Sequence, residues 1–461
     1  MKTLVDPTGA LASGLAAIRA QFRVPAAFPP EVLAAAEAAA KRTPDQHVDR
    51  TDIPFVTLDP ATSTDLDQAL WIEASGGDLL LRYAIADVAW FVDDGGPIDT
   101  EAWTRGETLY LPDGKAGLHP PVLAEGAASL LPDGPRPAVV FTVRVAPDGG
   151  VKLDGAERAI VRSRAKLAYE TVTAADLPPD FAELARRITA AEDRRGASRV
   201  DPPEQEVDKQ PNGDFELRFR PRVAAEDQNA AMSLATNLAI ADALQAHATG
   251  LFRVMPAPDA RAEGRLRNTA RAFKLDWPAA TSLADYEKTL DPNDPRQAAF
   301  MLAIRRAGGG ASYSPYRAGV TPWHAPMAAT YAQATAPLRR LADRYVVRAT
   351  LAIANGQPVP DIVTQAFEKL PKVMGHADAM GGQIDRAVID LAEAVMLQPQ
   401  VGQIFAAVVT DLDERGARIQ LTDLPVVARV EAHGVEPGDA IRVKLTQVDA
   451  EHRAIAFARM N

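Results

Sequence analysis

The period of apolar and polar positions changes along the chain, and each change marks a new kind of structure. Alanine-rich helical periodicity runs over about Pro7 to Phe22 and Pro30 to Arg42, broken by Val24-Pro25 and Pro29-Pro30. Strand-like runs follow at Phe55 to Leu58, Ala69 to Ile72, Leu79 to Val92, Ala138 to Val145, Glu157 to Val161 and Phe215 to Phe219. Turn dipeptides at Asp148-Gly149, Asp154-Gly155 and Asn212-Gly213 separate them, which predicts a mixed sheet. From Ala224 the period becomes helical, with a long helix closed by Gly250 and further helices over Ala260 to Phe273, Pro295 to Ala307 and Pro337 to Asn355. From Val401 to Met460, five short alternating strands with turns at Asp413 to Gly416, Asp423 to Pro425 and Pro437 to Asp439 suit a small closed barrel of the OB type. The expected fold is α+β: a helical segment over 1–48, a mixed-sheet domain with packed helices over 49–398, and a barrel over 399–461.

Composition narrows the possible chemistry. A chain of 461 residues, 47% hydrophobic and 24% charged, has the make-up of a soluble protein of two or three domains. The absence of cysteine excludes disulfides, zinc ribbons and thiol catalysis, and suits a reducing cytoplasm. No run approaches the roughly 20 apolar residues of a spanning helix and the start lacks a secretory signature, so a cytoplasmic protein without a membrane partner is expected. A net charge of −11 argues against coating nucleic acid through a general basic surface, yet leaves room for an enzyme with a basic channel. The N-terminal helices could form a helix-turn-helix-like unit, but their modest positive charge favours packing on the main domain.

The chemistry concentrates in Phe55 to Leu70, FVTLDPATSTDLDQAL. Asp65 and Asp67 share a face if extended, and Asp59 arrives from the end of the preceding strand. Three carboxylates at close quarters repel unless a hard cation holds them, and Mg²⁺ or Mn²⁺ suits an all-oxygen set. A turn capped by aspartates is the plainer alternative, weakened by the third acid and the apolar frame. A second feature is TAPLRRLADRYVVRATLA, where Thr335 and Pro337 suit a helix start and Arg340, Arg344 and Arg348 recur at i, i+4. These arginines either bind phosphate or form a solvated face, with Asp343 pairing with Arg339. Tyr110, set between leucines, reads as a core aromatic. In the barrel Phe405 and Phe457 are the only aromatics, and seven basic against nine acidic residues from Val401 to Asn461 imply weak RNA binding by the barrel alone.

Taken together, FVTLDPATSTDLDQAL, IADVAWFVDDGGPIDTEAWTRGETLYLP, RSRAKLAYETV and TAPLRRLADRY occur in the order found in the ribonuclease II family, which the chain resembles from about Thr51 to its end. The final barrel is similar to that family's S1 RNA-binding domain. The resemblance implies a processive, hydrolytic 3′-to-5′ exoribonuclease that uses Mg²⁺, takes single-stranded RNA with a free 3′ end and releases nucleoside 5′-monophosphates; a monomer is expected. By the same resemblance Asp59, Asp65 and Asp67 fall on three acids of a four-acid metal cluster, with Gln68, an uncharged oxygen donor, at the fourth position. Arg339 falls on the arginine that stabilises charge on the scissile phosphate, with Arg340 beside it on the RNA path. Tyr110 and Tyr169 match tyrosines that clamp the last nucleotide and the bases behind it, which replaces the core reading of Tyr110. Asp385 lies near a family glutamate ahead of the barrel, Phe405 offers a ring to RNA, and Asn229 and Ala230 stand where the long helix usually carries glutamates. The family's two cold-shock barrels are expected to be absent, since fewer than about 60 residues precede the catalytic domain, little more than one such barrel needs. Gln68, Asn229 and Ala230 keep open a different class of protein, a catalytically inactive RNA-binding relative.

Overall fold

A computed structural model describes residues 2–4, 9–198, 204–209, 215–220, 223–291, 294–413, 416–422, 424 and 426–460. Its centre is a seven-stranded sheet in the spatial order Ala165–Ala168, Val56–Asp59, Gln68–Ser75, Asp78–Ala86, Arg136–Val145, Val151–Val161, Val48–Asp49. The two edge strands pair in parallel and the inner ones antiparallel. Alternation along the strands sends Leu70, Ile72, Leu81, Tyr83, Ile85, Phe141 and Val143 to one face. That face packs on the helix Ala224–Ala246, which is apolar around most of its girth and correspondingly buried. The opposite face carries smaller residues, Ala69, Ala84, Ala86, Ala138 and Ala159, and is covered by Phe55, Leu66, Leu123, Leu130 and the helix Pro30–Ala39.

The α+β expectation and the closed barrel both match the structure. The barrel strands are Ile404–Asp413, Gly416–Leu421, Val427–Glu431, Ala440–Asp449 and Ala454–Met460, closed around Val409, Ile419, Val443 and Leu445. The turn expected at Asn212-Gly213 lies outside the described residues, as do parts of those at Asp413 to Gly416 and Asp423 to Pro425. A helical unit of Ala260–Ala272, Leu283–Glu287 and Pro295–Ala307 encloses Phe273, Tyr286 and Phe300. Among the described residues no helix is long and apolar enough to cross a membrane.

Several boundaries differ from expectation for identifiable reasons. The strand expected to reach Val92 stops at Ala86, because Asp87 accepts a hydrogen bond from the Trp90 amide and caps the short helix Val88–Phe91. Asp87 is buried, held by His47 at 3.1 Å and Arg158 at 2.9 Å. The helix expected from Pro337 begins at Leu341, since the preceding residues form a turn anchored on other elements. Periodicity also passed over two helices, Phe181–Arg195 and the 37-residue Asp361–Leu397. In the latter Pro371 and the glycines at 375, 381 and 382 read locally as breakers, and packing overrides them. This terminal helix lies against the helix Ala10–Gln21, the sheet domain and the barrel, joining their cores.

Gly149 fills a turn position that only glycine suits. Its φ is +75°, and a Cβ there would stand 2.2 Å from the Arg187 carbonyl oxygen. Gly149→Ala is expected to cost at least about 1–3 kcal/mol, the scale of left-handed strain alone, read as a lower urea midpoint at unchanged slope.

Candidate active site

The acidic loop is built by the sheet. The strand Val56–Asp59 ends on Asp59, the chain crosses Pro60 to Leu66, and Asp67 directly precedes the next strand. Leu66 is fully buried and its amide donates to the Ser129 hydroxyl, which itself donates to the Thr64 carbonyl. This anchoring fixes both aspartates that flank Leu66.

Asp67 is buried, and its Oδ1 accepts the Leu338 amide at 2.7 Å across 271 residues of sequence. The Arg339 Nε lies 3.4 Å from its other oxygen. Burial pushes the Asp67 carboxyl up to about 7, with Arg339 opposing the shift. Asp59 is likewise pushed up to about 6 by burial, and its Oδ2 is enclosed without a hydrogen-bond partner. Asp65 differs: Lys115 Nζ holds its Oδ1 at 2.8 Å and the Tyr110 hydroxyl donates to its Oδ2 at 3.0 Å.

These residues suit a hard divalent cation in donor chemistry. The donors are all oxygen, desolvation outweighs what partners stabilise at the Asp59 and Asp67 carboxyls, and one carboxylate oxygen is unsatisfied. Among the described residues no three acids, histidines or cysteines stand ready as a formed shell. Asp65 faces a lysine ammonium instead, and drawing it into a shell would exchange Lys115 for the metal.

The turn Ala336–Arg340 is held from three sides. Asp343 accepts the Ala336 amide at 2.8 Å and pairs with Arg340, not with Arg339. Thr108 donates its amide to the Arg339 carbonyl, and Leu341 donates to the Gly106 carbonyl. Arg344 is buried against Asp99, and Arg348 pairs with Asp94 at 2.6 Å, so the i, i+4 stripe is occupied by acids within the fold.

Arg339 opens onto a cavity of about 350 Å³ lined also by Glu107, Tyr110, Arg253, Tyr313 and Asp385. Its walls carry both signs of charge and so differ from a purely basic channel. Arg253 is paired with Asp378 at 2.8 Å, and burial with the nearby Asp378 pushes Glu107 up to about 7. Tyr110 stands 50% exposed where it lines this cavity, which the core reading did not foresee.

Other candidates are placed differently. Gln68 turns its Oε1 to the Tyr83 hydroxyl, away from a free donor role. Tyr169 accepts a hydrogen bond from Asn229 Nδ2 at 2.9 Å and donates its amide to the Asp59 carbonyl, which sets it beside the acidic loop. Asn229 is buried and its Oδ1 is unsatisfied. Phe405 is half-buried, edge-on to Phe457 at 6.1 Å, and does not line the cavity. Lys115, which also pairs with Glu125 at 3.1 Å, and the cavity residues Glu107 and Arg253 escaped sequence reasoning. Only the alternation of the LYLPDGKA hairpin, which puts Tyr110 and Lys115 on one face, could have signalled Lys115.

Comparison with known proteins agrees with this architecture. Residues 47–356 match the RNB domain, and residues 403–460 match the RNase II-type exonuclease C-terminal S1 domain. Ribonuclease R 1 of Lactococcus lactis is 25% identical over 88% of the chain and 53% of its own length, and Exoribonuclease 2 of Yersinia enterocolitica is 28% identical over 84% and 63%. The chain thus spans about half to two-thirds of these relatives. The apo form of Mycoplasma genitalium RNase R superposes with a TM-score of 0.87 at 20% identity, covering 100% of this chain and 79% of that one. The same protein bound to double-stranded RNA gives 0.84 at 20%, covering 100% and 85%. The mixed sheet with its packed helices and the closed barrel thus agree with these matches, and with two-thirds of its residues matched by the domain model the chain belongs to the RNB family.

Proposed function

We propose that this chain is a divalent-metal-dependent exoribonuclease that hydrolyses RNA from its 3′ end to nucleoside 5′-monophosphates. The observation that carries the reading is the junction of Asp67 with the Leu338 amide and Arg339 at the wall of a cavity whose rim presents Tyr110. Asp59, Asp65 and Asp67 would hold the metal, Mg²⁺ being the natural choice and Mn²⁺ the substitute. When bound, such a metal supplies an acidified water and neutralises a phosphate oxygen.

The chain's own side chains account for the rest. Of the cavity's arginines, Arg253 and Arg340 are committed to Asp378 and Asp343, whereas Arg339 makes one loose contact with Asp67. Its guanidinium is therefore the one placed to meet charge developing on the last phosphodiester. Tyr110 can stack on the terminal base without reading its identity, and Tyr169, beside Asp59, can brace the nucleotides behind it. Arg340 and Asp385 line the same cavity and would border the strand.

Tyr110→Ala is expected to raise KM for single-stranded RNA about tenfold or more, since base stacking is worth about 1–3 kcal/mol. Tyr110→Phe keeps the ring, loses the bond to Asp65 and should hold KM near its original value.

The second reading, an inactive RNA-binding relative, draws support from Gln68 bonded to Tyr83 and from Asn229 bonded to Tyr169. One experiment separates the two: 5′-labelled single-stranded RNA incubated with Mg²⁺ or EDTA, with products resolved by size. A ladder ending in a short oligonucleotide and mononucleotides, present only with metal, supports the enzyme. RNA bound but intact supports the other reading. The likeness to a protein solved with double-stranded RNA supports passage through short duplexes, and a stop well before the stem of a 3′-overhang hairpin would refute that part.

A further inference from the structure

The hairpin Leu109–Ala116 is two strands of three residues each, joined by Pro112-Asp113, yet it delivers two side chains to the acidic loop. Tyr110 and Lys115 are cross-strand partners on one face, and both reach Asp65. A ribbon this short is marginal by itself, so its position must be imposed from outside.

The N-terminal helical segment supplies that constraint at three points. On its inner face Leu109, Leu111 and Ala116 enter the same core as Leu11, Leu15 and Ile18 of the helix Ala10–Gln21. At its tip Arg19 donates Nε and Nη2 to the two Asp113 oxygens at 2.9 and 2.8 Å, and Nη2 also reaches the Gly114 carbonyl at 2.8 Å. At its base Arg105 donates to the Gly117 carbonyl and to the Ala27 carbonyl, and stacks 3.8 Å over the Phe28 ring. Tip and base are thus gripped by the N-terminal helix and by the loop after it.

We propose that the N-terminal segment is a clamp for the RNA-gripping hairpin, with Arg19 the positioning residue that holds Tyr110 and Lys115 against Asp65. Arg19 touches neither the acidic loop nor the cavity, so its effect on RNA passes through the hairpin alone. The inference rests on the functional reading of Tyr110, and its test is chosen to fail separately from that reading.

The full chain would be compared with Arg19→Asp, Asp113→Arg and the exchanged pair, following amide hydrogen exchange over 109–116, KM for single-stranded RNA, and global stability. The fork is bidentate and charge-assisted but partly exposed, and each single reversal sets two like charges face to face at the hairpin tip. Both single variants are therefore expected to exchange faster in the hairpin and to raise KM, each on the order of tenfold, with kcat and the denaturation midpoint little changed. The exchanged pair should recover most of both effects, which a merely disturbed helix would not do. Unchanged exchange over 109–116 in Arg19→Asp, or no recovery in the exchanged pair, would overturn the clamp. If Tyr110→Ala leaves KM untouched, the functional reading of the rim fails, while hydrogen exchange still decides the clamp.

Discussion

Asp67→Asn is expected to leave a folded protein that binds RNA and no longer cleaves it, with turnover down by at least about 100-fold, the scale on which loss of one charge-stabilising group acts. Asparagine keeps an oxygen to accept the Leu338 amide, so the junction between the loop and the arginine turn survives while the charge is lost. The stability effect should run the other way. The folded-state pKa is raised from 3.8 to about 7, so ionised Asp67 opposes folding, and the penalty grows as pH rises from about 4 to about 7. In EDTA-treated protein at pH 8 the asparagine variant should therefore be more stable, by up to a few kcal/mol at about 1.4 kcal/mol per pKa unit. Below pH 4 both forms are neutral and the gain should vanish. Denaturation at pH 8 and pH 4 checks the sign, and a variant less stable at pH 8 would show that the carboxylate is compensated by something other than metal.

Arg339→Ala is expected to lower kcat by about 100- to 1000-fold with a smaller change in KM, because the group acts where charge develops. The side chain is exposed and touches Asp67 only loosely, so stability should move by less than about 0.5 kcal/mol. Arg339→Lys keeps a positive charge without the planar fork and should recover part of the rate. Equal loss in kcat and in RNA affinity would instead assign Arg339 to strand binding. Arg340 offers the contrast: it is paired with buried Asp343, and its removal should show chiefly as lost stability.

Part of this architecture is legible in the sequence. Long runs with one dominant period, such as Ala224–Ala246 and the barrel strands, were readable because the pattern and the packing agree. The terminal helix was not, because Pro371 and the nearby glycines are local breakers that only tertiary contacts outweigh. The start at Leu341 was hidden for a similar reason: Ala336–Arg340 is shaped by hydrogen bonds to Asp67, Thr108, Gly106 and Asp343, of which only Asp343 is near in sequence. Asp59, Asp65 and Asp67 stood out by spacing. What spacing could not convey was their inequality, Asp67 buried, Asp59 with one enclosed oxygen and Asp65 engaged with Lys115, since that depends on a hairpin about 50 residues downstream. Arg344 and Arg348 show the converse, a surface-like stripe whose partners Asp99 and Asp94 lie about 250 residues upstream.

The bond between Asp67 and the Leu338 amide also bears on when the proposed activity could arise during synthesis. Nascent polypeptides ending before residue 338 contain all three acids and the hairpin, yet neither the amide that anchors Asp67 nor the Arg339 guanidinium. A ribosome making this protein thus carries an unfinished centre until residues 338 and 339 are added, and incomplete products ending earlier lack the groups that the proposed function assigns to cleavage. On the proposed function, hydrolysis would await the arginine turn clearing the exit tunnel and docking on Asp67.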